Sequence, residues 1–127
     1  MREDVQHNLG DSDRLFRSIF ENAQIGVSVF RIDCQEHFSN RAMREMLDYT
    51  EDELKDLAKW DEFTHPDDRG PCAERYLALL QGKRDRDAYE QRFIHRDGHI
   101  VTVNGRFSLL ASRRCCSAVA ALSAVCT

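Results

Sequence analysis

The chain has 127 residues and a formal net charge of -4, a length that suits one domain with a single hydrophobic core and is too little for that domain plus a second one of enzyme size. An acidic balance gives no long-range attraction to phosphate backbones or anionic lipid, which argues against nucleic acid as a direct partner. No apolar run is long enough to span a bilayer and Met1 to Asp13 is polar and charged with no apolar core, so the sequence argues against membrane insertion, a signal peptide and an anchor, and reads as cytoplasmic.

Residues 1–12 are expected to be a flexible segment and residues 13–127 one domain. Within it, Asp11-Ser12-Asp13 offers N-cap side chains, and Leu15, Phe16, Ile19 and Phe20 recur at helical spacing, which predicts a short amphipathic helix. Ile25 to Ile32 is rich in β-branched residues and predicts a strand with Ile25, Val27, Val29 and either Phe30 or Ile32 on its apolar face. A turn at Asp33-Cys34 leads to a second short strand at Glu36 to Ser39. Asn40 then caps a helix carrying Ala42, Met43, Met46 and Leu47.

Thr50-Glu51-Asp52-Glu53 has the spacing of a capping box, in which the Thr50 hydroxyl and the Glu53 carboxylate satisfy backbone amides reciprocally. A helix through Leu54 and Leu57 is expected to follow. The Asp67-Asp68 pair precedes a longer amphipathic helix with Ala73, Tyr76, Leu77 and Leu80 on one side; Pro71 fits only its first turn, and Gly82 is the stop. The remainder alternates with a period of two. Tyr89, Gln91, Phe93 and His95 oppose Glu90, Arg92, Ile94 and Arg96; Asp97-Gly98 supplies hairpin chemistry; Val101, Val103, Gly105, Phe107 and Leu109 then oppose Thr102, Asn104, Arg106 and Ser108. The tail from residue 112 to 127 is atypical. Ala118 to Val125 fits a buried strand, and a foreign or frame-altered end that leaves the sheet short of an edge is the alternative.

His65 is the residue closest in type to a catalytic base. A base needs a positioned partner and the sequence offers none, whereas Pro66 and the following Asp residues suit a structural elbow at a helix start. The five cysteines, Cys34, Cys72, Cys115, Cys116 and Cys126, are odd in number, lack paired CxxC spacing and read as reduced thiols.

Three pieces in order, Leu15 to Gly26, Glu62 to Arg69, and Glu90 to Phe93 with Asp97-Gly98, resemble a PAS domain of bacterial sensor proteins over roughly Leu15 to Leu110. The resemblance implies an α+β fold: an antiparallel sheet of about five strands with short helices packed on one face and an N-terminal amphipathic helix. It implies a sensing and dimerisation module of a larger signalling protein, such as a sensor histidine kinase or cyclic-dinucleotide enzyme, and not an enzyme in itself. Met46, Tyr76, Phe93, Val103 and Phe107 are the candidate pocket lining for an unknown small-molecule ligand, ordinary core being the alternative role of this apolar stripe.

The same comparison speaks against known cofactors. Phe93 and Val103 stand where flavin-binding members carry asparagines, and the Asn-Cys-Arg-Phe motif of the photosensors is missing. Haem-binding members use a histidine on the long helix; Asp68 to Gln81 has none, and Cys72 reads as a small apolar residue. No cofactor and no metal are therefore expected.

On the opposite sheet face, Glu90, Arg92, Thr102, Asn104 and Arg106 are expected to be solvated, or covered by the helix bearing Leu15, Phe16, Ile19 and Phe20 from the same or a second subunit of a homodimer. Two other readings are a small-molecule binding protein that acts alone and a redox sensor using Cys115-Cys116 or Cys126.

Overall fold

The computed structural model of the chain describes residues 13–32, 35–111 and 116–124. Residues 13–22 form helix α1, in which Arg17 pairs with Asp13 one turn back at 3.1 Å. The segment 1–12 and the Asp33-Cys34 turn lie outside the described residues.

Five strands follow, β1 (Gly26–Arg31), β2 (Glu36–Ser39), β3 (Arg86–Ile94), β4 (Ile100–Ala111) and β5 (Cys116–Ala124). They make one antiparallel sheet in the order β2-β1-β5-β4-β3. The atypical tail is thus the middle strand. Its alanines pair with β1 on one side (Ser28 opposite Ala120) and β4 on the other (Phe107 opposite Ala120).

The alternation in β1 runs opposite to the expected one. Gly26, Ser28 and Phe30 are buried, Val27 and Val29 are only half-buried, and Ile25 is exposed. The Ser28 hydroxyl meets that of Ser39 at 3.2 Å on the inner face, and Gly26 faces Met43 so closely that a Cβ there would come 3.2 Å from Met43 Cε. Hydrophobicity counted along the strand misses such contacts.

Four helices cover the inner face. α2 (Arg41–Leu47) starts at Asn40, whose side chain accepts the Met43 amide. α3 (Glu51–Lys55) begins with the predicted capping box, both halves present. It stops early, because the Asp56 carboxylate accepts the Ala58 amide and starts a separate helix, α4 (Leu57–Phe63), where one continuous helix was expected.

α5 (Pro66–Leu80) is capped by His65, whose Nδ1 accepts the Asp67 amide at 3.1 Å, so Asp67 and Asp68 lie inside the first turn rather than before it. Pro71 consequently falls beyond the first turn. It is tolerated inside the helix on an exposed side, where the carbonyl it leaves without an amide is free to meet water. Gly82, at φ 75°, ends α5 as predicted, its amide and that of Lys83 returning to Leu79 and Ala78.

Met43, Leu47, Leu54, Phe63 and Leu79 from the helices meet Phe30, Phe93, Val103, Phe107 and Leu122 from the sheet in one core. Each large side chain buried there stabilises the fold by roughly 1.5–3 kcal/mol relative to exposure. Tyr49 stacks on Phe63 at 3.8 Å and donates to the Ile94 carbonyl at 2.8 Å, which fastens the helical layer to the end of β3.

Candidate functional site

A cavity of about 330 Å³ lies between the inner sheet face and α4 and α5. Its origin is compositional. The central strand turns Ala118 and Ala120 inward, β1 adds Ser28, and these small side chains leave space that Phe30, Phe93 and Phe107 bound without filling.

The structure brings three of the five candidate residues to this space: Tyr76, Phe93 and Phe107 line it. Val103 is fully buried in the core beside it, and Met46 is half-buried against the core; neither is among the lining residues. Phe107 stacks on Tyr89 with ring centroids 4.4 Å apart, and Tyr76 meets Phe107 edge-on at 6.3 Å. Behind Tyr89, the Arg75 guanidinium sits 4.5 Å over the ring and binds the Asp87 carboxylate through Nε and Nη2 at 2.9 and 2.6 Å. This arrangement closes the β3 side of the cavity.

Sequence reasoning missed Trp60, His37, Ser28, Gln91 and Arg69, all of which line the same space. Trp60 had a signal: Asp56 is a helix cap followed by apolar residues at Leu57, Trp60 and Phe63. Gln91 shares the face of Phe93 by simple alternation. His37 and Ser28 had none, since the first depends on α3 arriving over β2 and the second on the inverted face of β1.

The polar groups around the cavity have defined states. His37 Nδ1 lies 2.8 Å from the Leu54 carbonyl, which can only accept, so Nδ1 carries the proton and Nε2 the lone pair. Burial lowers the His37 pKa below its usual value and keeps the ring neutral. Burial alone pushes the Tyr76 phenol up to about 12, and it likewise raises the Cys72 thiol, so Cys72 stays protonated and is a poor nucleophile or thiolate ligand. The Arg69 Nε donates to the Thr64 carbonyl at 3.0 Å, and the Thr64 hydroxyl to the Trp60 carbonyl at 2.6 Å. Asp61, Gln91 and Ser28 add polar points to walls that are mainly aromatic and aliphatic, which suits a mostly apolar small molecule held by a few directional contacts.

His65 has the structural role expected of it. Its amide donates to the Arg92 carbonyl at 2.9 Å, and Asp68, one turn on, accepts the Arg92 amide and both ends of its guanidinium at 2.7 to 3.0 Å. Arg92 therefore leaves the solvated outer face assigned to it and wraps the sheet edge to pin α5. The Cys115, Cys116 and Cys126 side chains lie outside the described residues.

Leu15, Phe16 and Ile19 are 57 to 63% exposed, while Phe20 is half-buried. The outer sheet face carries an apolar strip at a place the sequence did not suggest: Val29 pairs with Phe38 and Val119, and Val27 with Ala121, all half-buried. The region of Thr102, Asn104 and Arg106 is the polar half of that face. Among the described residues, no helix is long and apolar enough to cross a membrane.

Comparison with known proteins gives one family model, described as the PAS fold, matching residues 36–120. Among curated proteins, the chain is 26% identical over 94 residues to the probable diguanylate cyclase DgcE of Escherichia coli (strain K12); the match takes in 74% of this chain and 8% of that protein. Among solved structures, the PAS domain of an HTR-like protein from Haloarcula marismortui superposes with a TM-score of 0.74 at 21% identity, covering 97% of this chain and 99% of the other. The N-terminal domain of a diguanylate cyclase with PAS/PAC sensor from Marinobacter aquaeolei gives 0.70 at 13% identity, covering 79% and 94%.

Proposed function

The chain belongs to the PAS fold family, and from that membership we propose that it is the sensory and dimerisation module of a larger signalling protein of the histidine kinase or diguanylate cyclase type. The observation that carries this reading is the cavity between the sheet and α4–α5, with Tyr76, Phe93 and Phe107 in its wall. A small molecule entering it contacts the central β5 from inside, while the same strand carries Val119 on its outer face. Occupancy thereby biases how the sheet packs against whatever covers the outer strip, and the difference passes to an output domain. The chain itself performs no catalysis in this reading; no covalent step is required.

The partner that fits the outer strip is a second copy of the chain. α1 leaves three large apolar side chains exposed, the outer sheet face carries the half-buried strip of Val27, Val29, Phe38, Val119 and Ala121, and a two-fold pairing that lays one on the other buries both features at once. The test is light scattering of the chain across a concentration series, combined with native mass spectrometry. A dimer whose strength shifts when a retained small molecule is removed supports the module. A monomer at all concentrations that still retains a ligand supports the other reading the cavity suits, a binding protein that acts alone.

A further inference from the structure

The turn between β3 and β4 carries a cluster that the cavity does not use. His95 and His99 face each other across the hairpin: the His95 amide donates to the His99 carbonyl at 2.8 Å and the Gly98 amide to the His95 carbonyl at 2.8 Å. Residues directly opposite on antiparallel strands project to the same side, and the two imidazoles accordingly stack, with centroids 4.4 Å apart and planes 23° apart. Asp97 lies between them in the turn. Its Oδ1 accepts the His99 amide at 2.9 Å, which fixes the carboxylate, and sits 3.2 Å from His95 Nδ1 and 2.5 Å from His99 Nδ1.

We propose that His95, Asp97 and His99 form a binding site for a divalent transition-metal ion of the zinc or copper kind. One nitrogen from each histidine and one oxygen from Asp97 lie within 4.8 Å of one another. Ligand atoms about 2.0–2.2 Å from a common ion fit inside that spread. Two imidazoles and one carboxylate suit zinc, copper or nickel rather than calcium or magnesium, and water completes the coordination.

The geometry already converges: His95 Nδ1 and His99 Nδ1 both face Asp97 Oδ1, so the three donor atoms border one small space. The neighbouring positive charge is turned away, because the Arg96 guanidinium donates to the Asp48 carbonyl and to Glu53 and lies over the Tyr49 ring. The turn is anchored on both sides: Gly98, at φ 97°, makes the turn, and the Arg96 amide donates to the Leu47 carbonyl at 3.1 Å.

The experiment is calorimetric titration of chelator-treated chain with Zn²⁺ alone, repeated on the double variant His95→Gln with His99→Gln. The expected result is a saturable one-to-one event that weakens by about 10- to 100-fold or vanishes in the variant, a loss at least as large as removing an outer-shell partner causes. Absence of saturable binding, or equal affinity in both proteins, overturns the site. If the double variant does not fold, Cu²⁺ added to the native chain decides by NMR: selective broadening of residues 95–99 supports the site, and broadening centred elsewhere overturns it.

Discussion

The Asn40 carboxamide donates to the Phe20 carbonyl at 2.9 Å, joining the end of α1 to the start of α2 from a position with no solvent exposure. The same side chain donates to the Ile25 carbonyl and accepts the Val27 and Met43 amides, so one residue satisfies four backbone groups, on α1, α2, β1 and the loop before β1. Arg44 adds a second tie through Glu21 at 2.9 Å.

Asn40→Leu strands those four groups, and each buried unsatisfied group costs about 1–3 kcal/mol. The expected loss is on the order of 3 kcal/mol, since relaxation lets water reach some of them. Asn40→Asp is expected to fail similarly, because a carboxylate has no hydrogen to give Phe20 and Ile25. Denaturant melts check both, and proteolysis within residues 13–22 reports whether α1 comes loose.

Phe107→Ala is expected to cost about 3–5 kcal/mol, as for other buried phenylalanines, because it removes the ring stacked on Tyr89 and facing Tyr76. Asn104→Ala, on the exposed outer face, is expected to change stability by less than about 0.5–1 kcal/mol. Gly105 belongs with Phe107: a Cβ there would come 2.5 Å from the Phe107 ring, so Gly105→Ala must displace it. Equal losses for Phe107→Ala and Asn104→Ala in chemical denaturation would contradict this assignment of the two faces.

Ala120→Leu fills the cavity from its floor. Stability should stay within about 1.5 kcal/mol of the parent chain, the range of tolerated core swaps, since the added carbons enter space that is already open. Binding of an apolar probe should be lost. Benzene titrated by NMR reads this out: shifts at residues lining the cavity in the parent chain and none in the variant are the expected pair of results.

Acid should unfold the chain in two stages. Burial lowers the His37 pKa in the folded state, so the unfolded chain takes up the proton first; this contribution is complete above the unfolded value of about 6.5 and is lost as pH falls through the folded one. Asp68 and Asp87 are held below the usual carboxylate range, first by their hydrogen bonds from Arg92 and Arg75 respectively. Their contribution is complete above the unfolded value of about 3.9 and is lost on further acidification. Thermal melts from pH 8 to pH 3 should show a decline beginning near pH 6.5, which His37→Gln abolishes, and a second below pH 4, which Asp68→Asn reduces.

Phe16→Glu with Ile19→Glu places charge on the exposed stripe of α1. If that stripe and the strip around Val29 and Val119 form the dimer, the pair of substitutions should shift the chain to monomer without lowering its melting temperature. Analytical ultracentrifugation measures the state; a dimer of unchanged strength would remove α1 from the interface.

Local signals were legible wherever the chain carries its own answer. The Thr50–Glu53 capping box, the Asp97-Gly98 turn, the Gly82 stop and the inward set Val103, Gly105 and Phe107 each depend on residues within a few positions of one another. His65 belongs here too, although its own ring, and not an Asp, caps α5.

The tertiary structure decided whatever depends on partners far along the chain. β1 buries Ser28 instead of Val27 because Ser39 and Met43 arrive from β2 and α2 to fix its inner face. The weakly patterned tail became the central strand because β1 and β4 both present free backbone edges to it, and main-chain pairing asks little of side chains. Its alanines then leave the cavity open, and the residues around that cavity come from every strand and two helices. Sequence alone determined most of the elements and the family resemblance, but not the break between α3 and α4; the cavity, the apolar outer strip and the His95–Asp97–His99 cluster exist only where the sheet's register sets side chains from separate strands and turns side by side.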